Sequence, residues 1–143
     1  MPSYHALRKE PKVLLICCSQ LSYEEWAKHD LRLEPMDVQL ISIPGGPAAL
    51  AHRHRVPEKY SELKKDIKLM LKKFPSIHTV IAVNHEDCGY YEEVLKFKGR
   101  EEIDLGSIAR KLAIMASGKN IETFFAKPIK PGSEKLEFQQ IVF

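Results

Sequence analysis

Long apolar runs are absent from this sequence of 143 residues. No stretch approaches the roughly eighteen consecutive apolar residues that a membrane-spanning helix needs. The first residues carry charges but lack the apolar segment of an export signal. We therefore expect a cytoplasmic protein with no membrane partner, and the length predicts a single domain over residues 1–143.

Cysteine is scarce as well. The chain has three cysteines, and two of them, Cys17 and Cys18, are adjacent. An odd number at this spacing is a poor framework for disulfide bonds. The composition instead favours reduced thiols that bind a metal, take part in catalysis or are simply buried.

Excess charge of one sign is also missing, because 22 Lys and Arg against 19 Asp and Glu leave a net charge of only +3. The lysines of residues 64–73 alternate with apolar residues at helical spacing and form no continuous basic block. No recognition motif or set of interleaved aromatics accompanies them. We therefore expect no nucleic-acid partner.

Short apolar runs alternate along the chain with segments of helical spacing, a pattern typical of parallel strands joined by helices. In such sheets, ligands bind beyond the carboxyl ends of the strands. The sequence predicts an α/β fold with a mainly parallel sheet of about five strands flanked by helices, ending in a C-terminal antiparallel hairpin. The predicted strands are Val13–Cys18, Val38–Ile43, Thr79–Val83, Ile121–Ile129 and Leu136–Phe143, and the predicted helices are Leu21–Leu33, Pro57–Phe74 and Ile108–Met115.

Candidate metal ligands lie at the ends of two predicted strands. The first strand ends in the Cys17-Cys18 pair, and the third runs into His85 and Cys88. Strands one and three are neighbours in common doubly wound orders, so these side chains can converge. Two thiolates, one imidazole and an open fourth position are typical of a catalytic zinc site. Successive strand residues face opposite sides, so only one cysteine of the pair can bind, and the alternative is that all these groups are buried core residues.

Three segments carry a resemblance to the β-carbonic anhydrases. Pro11–Ser19 resembles the family segment in which a strand ends in a zinc-binding Cys-Ser, and Asn84–Gly89 resembles the family's Gly-His-x-x-Cys-Gly. Ile43–Pro47 falls where the family has Arg-Asn-Ala-Gly-Asn. The motifs cover the chain from Pro11 to about Gly89, and the rest follows by order of elements.

The resemblance implies a specific ligand set and chemistry. It selects Cys18 over its neighbour, so that Zn2+ is held by Cys18, His85 and Cys88. It further implies a small-molecule substrate such as CO2 or bicarbonate, hydration through a zinc-bound hydroxide, and a homodimer.

One departure from the family pattern bears on activity. The family's Cys-x-Asp-x-Arg motif corresponds here to Cys18, Gln20 and Ser22, so both members of the Asp-Arg pair are replaced. A neutral Gln20 cannot act as a base, and we expect it to be a hydrogen-bond partner of the fourth zinc ligand. Asp87, or its neighbour Glu86, is the candidate substitute acid or base. Weak activity is expected.

Two other interpretations of the chain stay open. The same three ligands could serve a non-catalytic zinc-binding or metal-sensing protein whose site is closed by a fourth protein ligand. A metal-free, flavodoxin-like binding module is the third interpretation. Metal content and the identity of the fourth ligand distinguish the three.

Several other features receive structural interpretations. Pro44–Pro47 predicts a turn and not a phosphate loop, because Pro47 lacks an amide donor and no Gly-Lys-Ser/Thr follows. The side chains of His52 and His54 would lie on the same side of an extended segment but on different sides of a helix. A second metal site there therefore depends on the backbone conformation. The further aromatic predictions are a core position for Trp26 and, for Tyr90 and Tyr91, either a place in the zinc pocket or ordinary packing.

Overall fold

The computed structural model describes residues 10–21, 26 and 34–143. Within these ranges, five strands form a single sheet. The strands are β1 (Val13–Cys18), β2 (Val38–Ile43), β3 (Thr79–His85), β4 (Asn120–Pro128) and β5 (Leu136–Ile141). Their order is β2-β1-β3-β4-β5, and all pairs are parallel except the antiparallel β4–β5 hairpin. The predicted fold class is therefore confirmed.

The central strands owe their position to their composition. Every residue of β1 and of β3 is buried, as expected for strands covered on both faces. The outer strands β2 and β5 mix buried with exposed residues, as edge strands do. Strand β3 extends past the predicted end at Val83 to His85, which brings a polar side chain into the last register position of the sheet.

Two long helices cover one face of the sheet. Helix α1 (Pro57–Lys73) begins with Pro57 at its first turn and ends in two lysines, as the backbone geometry and the helix dipole favour. Helix α2 (Leu105–Met115) begins earlier than the predicted Ile108. The cluster between the helices and the sheet contains Leu14, Ile16, Leu63, Ile67, Ile108 and Leu112.

The opposite face of the sheet is covered around Trp26, which packs edge-to-face on Phe124 with ring centroids 4.9 Å apart. Trp26 is buried, so its predicted place in the core is confirmed. Apart from Leu21 and Trp26, the predicted helix Leu21–Leu33 lies outside the described residues.

Short helical turns connect the larger elements. Gly46–Ala51 forms a 3-10 helix after β2, and Tyr91–Leu95 forms a π-helical turn after β3. The sequence predicted a turn at Pro44–Pro47 but neither of these helical segments. No helix in the described ranges has the length and apolar character needed to cross a bilayer.

Candidate metal centre

Three potential metal ligands converge at the carboxyl ends of two neighbouring strands. Cys18 is the last residue of β1 and His85 is the last residue of β3, which pairs with β1 in parallel. Cys88 follows in the next turn, where Asp87 adopts a left-handed conformation (φ 55°). One ligand atom from each of the three residues lies within 4.8 Å of the other two, and all three residues are buried.

Strand alternation separates the two adjacent cysteines. Cys17 packs in the cluster around Trp26, whereas Cys18 packs on the other side with Cys88 and Tyr91. Burial raises the pKa of the Cys17 thiol to about 11, so this thiol is neutral and suited to the core. The structure therefore places Cys18, and not Cys17, beside His85 and Cys88.

The imidazole of His85 is oriented for a ligand. Its Nδ1 lies 2.9 Å from the carbonyl oxygen of Glu86, which can only accept, so Nδ1 carries the proton. The other nitrogen, Nε2, is buried and has no hydrogen-bond partner among the residues that the structure describes. A buried unpartnered nitrogen costs free energy unless a ligand satisfies it, and Nδ1–H donation to a carbonyl is how zinc-binding histidines are commonly fixed.

The two thiols of the cluster share one proton. The Cys88 thiol donates to Cys18, and this bond lowers the pKa of Cys18 to about 4 despite its burial, with smaller help from His85 and the backbone amides of Gln20 and Gly45. The same bond, together with burial, raises the pKa of Cys88. The N–H of Gly45 lies 3.4 Å from the Cys18 sulfur. Such amide donors stabilise a thiolate, which is the form that binds zinc.

The pKa of His85 is raised. Burial alone would lower it, but the nearby Cys18 sulfur, when ionised, attracts the protonated ring and outweighs the desolvation. A soft, anionic and nitrogen-containing donor set of this kind fits zinc among the common divalent ions.

A pocket of ≈ 280 Å³ lies beside Cys18. Tyr90 lines it, and its ring packs so closely on Gly45 that a Cβ at that glycine would overlap the ring. Tyr91, in contrast, is fully buried in the core. Of the two interpretations offered, a place in the pocket applies to Tyr90 and ordinary packing applies to Tyr91. The remaining described lining residues are Ser19, Gln20, Pro44, Gly89 and Val94.

Gln20 is held at the edge of this pocket. Its Oε1 accepts a hydrogen bond from the N–H of Gly89 at 3.0 Å and lies 3.8 Å from the Cys18 sulfur. Glu86 and Asp87 are both exposed on the turn before Cys88 and do not line the pocket. The acid or base role of Asp87 stays a prediction.

Pro44–Pro47 forms a turn whose glycines face the metal-ligand cluster. The amide of Gly45 donates to Cys18, and Gly46 packs on the backbone between Cys17 and Cys18.

The two histidines after this turn have different environments. His52 bonds through Nε2 to the carboxylate of Asp104 at 2.5 Å, whereas His54 is exposed. In the described part of the chain, neither belongs to a group of three potential metal ligands.

A buried polar network behind the site was missed by the sequence analysis. Asn84 donates from Nδ2 to the hydroxyl of Tyr91 at 3.1 Å and to the carbonyl of Glu101 at 2.8 Å. Burial, followed by the negative charge of Asp104, raises the pKa of Tyr91. The one signal available in the sequence was Asn84 itself, a polar residue continuing an otherwise apolar strand.

Comparison with known proteins gives a fold-level match. No protein-family model matches the chain, and no curated protein matches it. Among solved structures, the carbonic anhydrase from Glaciozyma antarctica superposes with a TM-score of 0.54 and 15% identity, over 93% of this chain and 84% of that chain. The chain has a β-carbonic-anhydrase-like fold.

Two further structures are similar at lower scores. The β-carbonic anhydrase CafD of Aspergillus fumigatus gives a TM-score of 0.47 at 12% identity, covering 92% of this chain and 90% of that one. A tetrameric β-carbonic anhydrase from Sordaria macrospora gives 0.49 at 13% identity, covering 94% and 82%. At such identities the β-carbonic-anhydrase likeness concerns the fold, and the chemistry has to be argued from the site.

Proposed function

We propose that the protein binds one zinc ion through Cys18, His85 and Cys88 and hydrates CO2 or a related small electrophile weakly. The observation that carries the proposal is the buried, unpartnered Nε2 of His85 in a cluster with two thiol sulfurs. A polar atom in this position is expensive without a ligand, and a divalent cation is the ligand that two thiolates and an imidazole bind best.

Each group near the cluster has a role that follows from its contacts. The carbonyl of Glu86 fixes the tautomer of His85, and the amide of Gly45 supports the Cys18 thiolate. Bound zinc would lower the pKa of a water and so supply the nucleophile for hydration. The pocket beside Cys18 provides space for the electrophile.

Gln20 is the reason to expect weak hydration. It stands where the resembled family has an aspartate, and its Oε1 is already engaged by the N–H of Gly89. The neutral amide therefore offers the pocket no base. Replacing an outer partner of a metal site commonly costs about ten- to a hundredfold in affinity or activity.

The neutral Gln20 also favours a second candidate function, a non-catalytic zinc-binding or metal-sensing protein. Among the described residues that line the pocket, none is an acid or a histidine able to act as a base near neutral pH. The open space beside Cys18 and the group of only three ligands in the described ranges support an accessible fourth position, which favours the enzyme.

Zinc analysis combined with stopped-flow CO2 hydration separates these functions. The purified protein is loaded with zinc, freed of excess metal and assayed beside a Cys18→Ser variant at equal protein concentration. We expect about one zinc per chain and a slow hydration rate that the variant lacks. A zinc-replete protein no faster than Cys18→Ser would favour the non-catalytic function, and a protein that retains no zinc would contradict both.

We also propose a homodimer in a reducing, cytoplasmic environment. In the described sheet, β2 and β5 each have a neighbour on one side only, and such edges are commonly covered by a partner. Zinc binding by Cys18 and Cys88 requires reduced thiols, which the cytoplasm maintains. Light scattering at micromolar concentration should give twice the chain mass, and a monomer would contradict the dimer.

A further inference from the structure

The orientation of the Gln20 amide determines what the pocket offers to a ligand. A backbone N–H can only donate, so the contact from Gly89 requires an oxygen and fixes Oε1 at this position. The amide nitrogen is then the free end, because no hydrogen bond joins it to any residue in the described ranges. Gln20 therefore presents two N–H donors, while its oxygen is bonded to Gly89.

The charge of the lining narrows the class of ligand. Apart from Cys18, whose thiolate is one of the proposed zinc ligands, the described residues that line the pocket include no Asp, Glu, His, Lys or Arg. A pocket with hydrogen-bond donors and no acidic side chain can accommodate an anion. Without Lys or Arg, however, the double negative charge of a phosphate dianion would not be balanced. The two thiolates of Cys18 and Cys88 would also neutralise a divalent ion, so hydrogen-bond donors must supply much of the recognition. A monoanion with acceptor oxygens fits these conditions.

The size and the apolar side of the pocket narrow the class further. Its volume of ≈ 280 Å³ is several times the roughly 30 Å³ that one water occupies in the liquid, so CO2 or bicarbonate alone would leave most of it unfilled. Pro44, the Tyr90 ring and Val94 line the remaining space, and Val94 is 52% exposed although apolar. These surfaces suit a short hydrocarbon group.

We propose that this pocket binds a small aliphatic carboxylate, with an oxygen accepting from the Gln20 amide and the hydrocarbon contacting Tyr90 and Val94. The inference rests on the proposed metal site, which the same pocket adjoins through Cys18. It makes the site selective for a carboxylate, as substrate or as regulating ligand, over the neutral CO2 molecule.

Cobalt(II) in place of zinc gives a direct readout, because its visible absorption changes when a ligand binds beside it. The cobalt-loaded protein is titrated with formate, acetate, propionate and butyrate. Each methylene that enters the apolar part should tighten binding by up to about fourfold. Inorganic phosphate should bind more weakly than propionate.

Variants separate the two halves of the site. Gln20→Glu keeps the acceptor for Gly89 but replaces the donor by an anion, and should weaken every carboxylate by about tenfold or more. Val94→Ser should leave the affinity for formate unchanged and reduce the increase in affinity with the chain length of the carboxylate. Ile114→Ser, at an exposed position on α2 that does not line the pocket, is the matched control and should change neither.

The outcomes distinguish this inference from the proposed function. Binding that depends on both chain length and Gln20 supports it. A protein that takes up about one cobalt per chain but binds all four carboxylates equally, or is unaffected by Gln20→Glu, overturns the inference and leaves the metal site standing. A protein that takes up no cobalt or zinc overturns both.

Discussion

The sulfur atoms of Cys18 and Cys88 lie 3.9 Å apart, although 70 positions separate the two residues in the sequence. Sheet topology brings them together, because β1 and β3 are parallel neighbours and end at the same edge. The loop after β2 adds the amide of Gly45 to the same cluster. The candidate centre therefore depends on three strand ends and the short turns that follow them.

The register of β1 predicts which cysteine holds zinc. Cys18→Ser should reduce bound zinc from about one ion per chain to a small fraction of that, because the two remaining ligands hold the ion poorly. Cys17→Ser should keep the metal, since Cys17 packs on the other face of the sheet. Metal analysis by mass spectrometry after gel filtration provides the measurement. Loss of zinc from Cys17→Ser with retention in Cys18→Ser would place the binding register one residue earlier.

Zinc affinity should fall as the pH is lowered. The pKa of Cys18 is lowered to about 4, so this sulfur is already a thiolate at neutral pH. The pKa values of Cys88 and His85 are both raised, and each group must lose its proton before it can bind the ion. Affinity should drop by about tenfold per pH unit for each proton that zinc displaces.

Competition with a chromophoric chelator at several pH values measures that slope. The metal-free protein supplies a control, because thiolate absorbance should show one ionised cysteine per chain near neutral pH and none in Cys18→Ser. An affinity independent of pH would contradict the proton sharing between the two thiols.

Much of the fold could be predicted from local patterns in the sequence. The uninterrupted apolar runs of β1 and β3 identified the buried parallel strands, and the spacing of Tyr60, Leu63 and Ile67 identified α1. These signals are visible because a strand buried on both faces needs a continuous apolar run, and a helix with one buried face needs apolar residues at helical spacing. The candidate ligands followed from their positions at strand ends, although the selection of Cys18 required a family resemblance.

Features set by distant partners were not predictable in this way. The direction of the Gln20 amide depends on the N–H of Gly89, and the environment of His52 depends on Asp104. The two residues of each pair are far apart in the sequence, so no local sequence pattern indicates that they are in contact. The same holds for Tyr90 and Tyr91, adjacent residues of which one lines a pocket and the other is fully buried.

Gly46 should tolerate no side chain. It has φ 52°, and a Cβ there would lie 2.7 Å from the backbone carbon of Cys17 and the backbone nitrogen of Cys18. Gly46→Ala should lower the free energy of unfolding by about 2–5 kcal/mol, the sum of left-handed strain and overpacking, and should lower zinc content.

Gly99→Ala is the matched control, because Gly99 also has positive φ (90°), but a Cβ at this position would meet no described neighbour within 4 Å. This variant should lose only about 1–2 kcal/mol and keep its zinc. Equal losses in urea denaturation would show that backbone strain alone, and not contact with β1, explains the requirement for glycine at position 46.

The two partners of Asp104 should differ greatly in their contribution to stability. His52 contacts this carboxylate at 2.5 Å with both side chains less than a tenth exposed, whereas Arg100 contacts it at 3.4 Å and is 47% exposed. His52→Ala leaves a buried carboxylate without its nearest partner and should cost about 3–5 kcal/mol. Arg100→Ala removes a solvent-screened contact and should cost less than about 1 kcal/mol.

The double variant of His52 and Asp104 tests whether burial of charge is the cause. Replacing Asp104 by leucine in the His52→Ala background removes the buried carboxylate, which in that background keeps the exposed Arg100 as an ion-pair partner, and should recover part of the lost stability in urea denaturation. The network also reaches the candidate metal site, since Asp104 faces Tyr91, and Tyr91 packs in the same buried cluster as Cys18 and Cys88. His52→Ala should therefore weaken zinc binding as well as folding. A variant that loses stability but keeps the wild-type zinc affinity would show that the network supports the fold alone.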